Sequence, residues 1–181
     1  MTPAAPRSLI VTVVEIERHV AELGWEQPPR LYALVDTAEL AGQQPQLAAL
    51  LGITPGTAPP GSLTPVEQDE LPRESIDTVL AGVAWPPEVL GCALVQEVLV
   101  LPPSVEQAAA PEDGGADWAA GHPDKRDVRL VVGVLRDGST ACALRLRSAA
   151  GPDGSASSED EVLTGPDLAP NLSAALLATL D

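Results

Sequence analysis

Six of the ten lysine and arginine residues lie between positions 125 and 147, where they could hold an anion. The planar guanidinium group of arginine matches a carboxylate or phosphate with two parallel hydrogen bonds. Arg129, Arg145 and Arg147 are therefore candidate ligand-binding residues for an anionic metabolite. The alternative is that these arginines pair with the chain's own carboxylates, since the sequence has 26 acidic residues.

His122 precedes Pro123 and Asp124, so an imidazole and a carboxylate lie two residues apart in the sequence. An imidazole there could act as a general base, so His122 joins the candidate ligand-binding residues. Two histidines and two separated cysteines do not match the spacing of a zinc site. No phosphate-binding glycine loop, nucleophile elbow or HExxH motif occurs. We therefore expect no metal, no cofactor and no catalytic residues.

Two apolar features are candidates for partner contact. Trp118 lies in a polar stretch, where a tryptophan either folds back onto the body or anchors a partner. Near the C-terminus, leucines recur every four residues from Leu168 to Leu180 and predict one apolar helix face. Leu176 and Leu180 on this face are candidate contacts in a protein interface, which also allows a homodimer.

The net charge of −16 restricts the classes of partner. Such a surface repels nucleic-acid phosphates and anionic lipid headgroups, so we expect neither nucleic acid nor membrane binding. Cys92 and Cys142 lie far apart inside apolar runs and are expected to be buried, reduced thiols. With no signal-peptide pattern and no apolar stretch long enough to cross a bilayer, the sequence predicts a cytoplasmic protein.

These candidates are positioned by an α+β fold, which the hydrophobic pattern predicts. A mainly antiparallel sheet of about four strands is expected at residues 30–36, 91–101, 128–136 and 139–147. The N-terminal helix places apolar residues on one stripe, with Glu17 mostly off it, and a central helix is expected over 74–83. Residues 64–67 (TPVE) form a capping box that predicts another short helix, and Asp167 is the predicted cap of the last helix. Residues 1–181 are expected to form a single domain with flexible loops near 53–62, 104–124 and 148–165.

Asp137 and Gly138 predict a tight hairpin turn between the last two strands. A two-residue type I′ turn would pair Leu135 with Thr140. It would also place Arg145 and Arg147 on one face of the hairpin, together with four apolar residues of the preceding strand: Val128, Leu130, Val132 and Val134.

Three segments carry a resemblance to a known family: residues 85–93 (WPPEVLGCA), 122–124 (HPD) and 129–138 (RLVVGVLRDG). With them, nearly the whole chain resembles an uncharacterised family of small acidic actinobacterial proteins. The resemblance implies one domain of bacterial cytoplasmic origin. That family has no assigned activity, so no site residues follow from it.

The acidic surface and the absence of an assembled reactive motif favour a non-enzymatic protein-interaction module, similar in layout to a chaperone or adaptor. The alternative is a small metabolite-binding domain or enzyme that uses Arg129, Arg145 and Arg147. The sequence names neither the partner nor the ligand.

Overall fold

A computed structural model describes residues 5–100, 125–147 and 162–181. In these ranges the chain forms six strands and five helices. In chain order they are α1 (Arg7–Glu22), β1 (Arg30–Asp36), α2 (Thr37–Gln43), α3 (Pro45–Leu50), β2 (Leu63–Glu67), α4 (Ile76–Ala81), β3 (Val89–Val100), β4 (Arg126–Leu135), β5 (Thr140–Leu146), β6 (Val162–Gly165) and α5 (Pro170–Ala178).

The strands form one antiparallel sheet in the order β2-β1-β3-β4-β5-β6. This confirms the predicted α+β class, but the sheet has six strands where about four were expected. The central strands are buried over residues 89–95 of β3, apart from Leu90, and over residues 128–134 of β4, because helices cover both faces. Helix α1 packs on one face, while α4 and α5 pack on the other.

Helix α1 follows from its apolar spacing. Leu9, Val13, Ile16 and Val20 are all buried against the sheet, because residues three and four apart share one helix face. The helix ends just before Gly24, whose φ of +85° lies in the left-handed region that glycine adopts easily. The predicted N-terminal helix is therefore confirmed.

The helix predicted from the capping box at residues 64–67 is wrong, because this segment forms strand β2. It pairs with β1 from Tyr32 opposite Glu67 to Asp36 opposite Leu63. A capping box is a local signal of only four residues. Here the backbone N–H and C=O groups of this segment pair with those of β1, which satisfies hydrogen bonds of both strands. The hydroxyls of Thr37 and Thr64 fix the pairing with a buried hydrogen bond of 2.9 Å.

Strand β6 corrects a second expectation, because its residues lie inside the loop predicted at 148–165. Residues Val162 to Gly165 pair with the four residues of β5 from Arg145 back to Cys142. A strand of four residues gives too short a pattern to be recognised in the sequence.

The hairpin between β4 and β5 turns through three residues rather than two. The Gly138 amide donates to the Leu135 carbonyl, and the Leu135 amide donates to the Ser139 carbonyl. Gly138 has a φ of +87°, as a three-residue loop closed by a glycine bulge requires. The predicted register is therefore wrong by one residue: Thr140 faces Val134 instead of Leu135.

The last helix begins at Pro170 rather than after Asp167, with Ala169 at the capping position. Proline suits this first helical position, because a backbone N–H there would have no acceptor within the helix and its loss costs nothing. Leu176 and Leu180 are buried in the core cluster beneath α4 and α5.

Candidate functional site

The corrected hairpin register brings the predicted arginines into one row. Glu97 on β3 is directly opposite Arg129 on β4, which is directly opposite Arg145 on β5. Residues directly opposite each other project from the same face of a sheet. This face is the one covered by α1, which places Glu17 above the row. We call these four residues the charge network.

The charge network is held by close contacts. Both oxygens of the Glu17 carboxylate accept hydrogen bonds from the Arg145 guanidinium, with Nη2 2.9 Å from Oε2. Arg129 lies between the acids, with Nη2 3.0 Å from Oε1 of Glu97 and Nη1 4.0 Å from Oε1 of Glu17. The side chains of Glu17 and Arg129 are only 1% exposed, against 18% for Arg145.

The loop after α1 contacts Arg129 and Glu97 of the charge network. The ring of Trp25 lies over the Arg129 guanidinium, 4.6 Å from the ring centroid, and over that of Arg147 at 5.4 Å. The Glu97 carboxylate accepts hydrogen bonds from the backbone amides of Glu26, at 2.8 Å, and Gln27, at 3.3 Å. Glu26 has a φ of +67°, a conformation that costs energy for a residue with a side chain.

The charge network is balanced, with two guanidinium groups and two carboxylates. A bound anion would have to displace a carboxylate that already holds the arginine. The arrangement ties α1 to the sheet. The Arg129 Nε atom is buried, and within the described ranges it has no hydrogen-bond partner.

Two other arginines of the basic segment have different roles. Arg147 pairs at the surface with Asp127, Nη1 lying 3.3 Å from Oδ2. Within the described ranges, Arg136 donates to four backbone carbonyls, among them Val89 at 2.9 Å and Leu180. Arg136 therefore fastens the end of the chain to the start of β3.

The remaining predicted site residues are placed as follows. His122 and Trp118 lie outside the described residues. Leu176 and Leu180 are core residues, so the partner contact predicted for them does not fit their position: contacts to α4 and the sheet already cover them.

Sequence reasoning missed the importance of Glu17, Glu97 and Trp25. Glu17 was expected mostly off the apolar stripe of α1, but it lies four residues after Val13 and three before Val20, on the buried face. Glu97, together with Gln96, interrupts a strand whose other residues are apolar. An acid on a buried face was the available signal, since such a residue needs a partner.

Neither thiol is activated. Cys92 and Cys142 are free and buried. Burial raises the pKa of Cys92 to about 11, and burial also raises the pKa of Cys142. A reactive cysteine has a lowered pKa, so both thiols behave as small apolar core residues. No group of three or more metal-binding side chains occurs among the residues for which positions are described.

The two outer edges of the sheet differ in accessibility. Among the strands that the structure describes, β6 is the last on one side of the sheet, and Val162, Leu163 and Thr164 are all exposed there, Leu163 at 43%. At the Gly165 end of β6 a cavity of about 380 Å³ opens between α1 and the sheet. Its lining is Ala5, Ile10, Val13, Val14, Thr140, Ala141, Cys142, Thr164, Gly165, Pro166 and Asp167.

Comparison with known proteins identifies a family. No curated protein and no solved structure matches the chain. No helix in the described ranges is long and apolar enough to cross a membrane. The family model of the PPA1309-like proteins matches residues 9–181. The chain therefore belongs to the PPA1309-like protein family.

Proposed function

We propose that this protein is a non-enzymatic interaction module that binds an extended segment of a partner protein along the outer edge of β6. Such a segment would add a seventh strand to the sheet, with affinity supplied by backbone hydrogen bonds. The observation that carries the proposal is the difference between the two edges of the sheet.

The β2 edge is protected against strand addition. Pro65 lies in the middle of β2 and lacks a backbone N–H, and Glu67 at its end forms an ion pair with Arg30. Proline and charged side chains are the means by which edge strands avoid pairing with other chains.

The β6 edge carries neither device. Its four residues, Val162 to Gly165, include no proline and no charge, and two of them are exposed aliphatic residues. By strand geometry, alternate backbone groups of an edge strand point away from the sheet and accept a new partner. Within the described parts of the chain this edge is apolar and has no protecting residue, and such an edge is a site for pairing with an extended segment.

Charge decides between the kinds of partner. Two copies of this chain each carry a net charge of −16, so their association is opposed by repulsion. A segment in which apolar residues alternate with lysine or arginine is attracted by the same charge. We therefore propose a basic partner segment rather than a homodimer.

The metabolite-binding alternative has less support from the geometry. Arg129 and Arg145 are engaged with Glu17 and Glu97, and Arg147 pairs with Asp127. The free, buried thiols agree with the proposed placement in a reducing cytoplasm.

The test begins with selection of random dodecapeptides displayed on phage against the immobilised full-length protein. We expect enrichment of sequences that alternate apolar and basic residues. Calorimetry then compares the selected peptides on the unmodified protein and on Leu163→Asp. Aspartate disfavours strand pairing and adds a charge that would attract a basic peptide, so a loss of affinity reports the lost strand addition.

The matched control is Leu50→Asp on α3, because Leu50 is 85% exposed and α3 packs on α2, which contacts β1, a strand that three others separate from β6. We expect Leu163→Asp to weaken binding at least about tenfold, as for an interface hot spot, and Leu50→Asp to leave it unchanged. Equal binding to both variants, or no enriched peptide, contradicts the proposal.

A further inference from the structure

We infer that the cavity at the Gly165 end of β6 selects the partner segment, by accepting one aromatic side chain that has a cationic residue beside it. This inference rests on the proposed function and adds the class of sequence that the edge recognises. In strand addition the backbone supplies affinity, and pockets beside the edge supply specificity.

The position of the cavity suits a segment paired with β6. Thr164 is directly opposite Ala143, which belongs to the core on the α1 side of the sheet. A segment beside β6 therefore projects every second side chain toward α1, where Ile10 and Val14 line the cavity. Thr140 and Ala141 of β5 extend past the last pair with β6 and form its floor.

The walls of the cavity match an aromatic group. Most of the lining comes from alanine, valine, isoleucine and proline side chains, and the volume of about 380 Å³ is at the lower end for small-molecule sites. An aromatic ring buries a large area at low entropic cost, which makes it a common anchor at interfaces.

The charge at the cavity favours a cation next to the ring. Asp167 is the one charged residue among those described that line the cavity, and it is exposed. Neither an ion pair nor a hydrogen bond of its carboxylate occurs within the described ranges, so it is available to a lysine or arginine of the bound segment.

The test uses two small probes of similar size: 2-phenylethylammonium, a cation, and 3-phenylpropanoate, an anion. Each is titrated into the full-length, isotopically labelled protein while backbone amide shifts are recorded. We expect the cation to move the amides of Thr140, Ala141, Thr164 and Gly165, and to bind at least about fivefold more tightly than the anion. No shift at these amides, or equal affinity for both probes, overturns the inference.

Matched variants identify the two determinants. Ile10→Trp fills the cavity and should weaken cation binding at least about tenfold. Val11→Trp is its control, since Val11 is equally exposed on α1 but lines a different groove. Asp167→Asn should remove the preference for the cation, whereas Glu15→Gln, an exposed acid of α1, should keep it.

The selected peptides separate this inference from the proposed function. Loss of peptide binding in both Leu163→Asp and Ile10→Trp supports both claims. Loss in Leu163→Asp alone leaves strand addition standing and overturns the cavity as the selective element. Peptide binding that survives Leu163→Asp overturns the proposed function, whatever the small probes do.

Discussion

Glu17→Gln removes the one acid that reaches both arginines of the charge network. The glutamine keeps the shape of the side chain, but Arg145 loses its ion pair with Glu17, and Arg129 keeps the Glu97 carboxylate and the Gly24 carbonyl as hydrogen-bond acceptors. Breaking a buried ion pair by removing one partner costs about 3–5 kcal/mol, because an uncompensated charge stays buried. Arg145 is 18% exposed and can turn partly toward water, so we expect about 3 kcal/mol here.

The assay is urea unfolding of the full chain followed by circular dichroism. Glu15→Gln is the matched control, because Glu15 lies two residues earlier on α1 and is exposed. Its free energy of unfolding should change by less than about 0.5 kcal/mol. The double variant Glu17→Gln, Arg145→Met should lose less free energy of unfolding than the two single variants lose together, because the two residues are in contact. A loss below about 1 kcal/mol for Glu17→Gln would refute the view that this network fastens α1 to the sheet.

Three further predictions concern stability. Gly91→Ala should destabilise the protein by about 2 kcal/mol in urea unfolding, because an added Cβ would collide with the Val134 carbonyl oxygen. The control Gly42→Ala on α2 should be neutral or stabilising, because the space around Gly42 is open. Folding raises the pKa of Cys92 from 9.0 to about 11, so the thiol ionises at lower pH in the unfolded chain than in the folded one. The free energy of unfolding should therefore fall as the pH rises from about 9 to about 11. Urea midpoints measured across this pH range should show the decline, and Cys92→Ala should remove the part of it that is due to this thiol. Arg136→Met should lower the melting temperature measured by calorimetry, since several backbone carbonyls lose their donor, and an unchanged value would contradict the fastening role.

Long, regular patterns in the sequence predicted their elements correctly. The apolar stripe of α1 and the apolar run of β3, which only Gln96 and Glu97 interrupt, each extend over ten or more residues, and burial on one face or on both produces those patterns. Strand β2 could not be predicted in this way, because residues 64–67 carry a local helix signal and the pairing with β1, a contact across the fold, overrides it.

The site was only partly predictable for a related reason. The sequence shows that Arg129 and Arg145 need partners, but their row depends on the hairpin register, which one extra residue in the turn reverses. Glu97 comes from another strand and Trp25 from the loop after α1, so only the folded chain brings them to the arginines. The open edge of β6 could not be predicted either, since it depends on which strand is last in the sheet.

Hydrogen exchange at the amides of β6 tests the account most directly. The outward-facing amides between Val162 and Gly165 should exchange quickly in the protein alone and slow markedly when a selected basic peptide is bound. The amides of β2 should show no change. If the bound peptide instead slows exchange around Trp25 and Arg147 and leaves β6 unprotected, the segment binds elsewhere and the proposed strand addition is wrong.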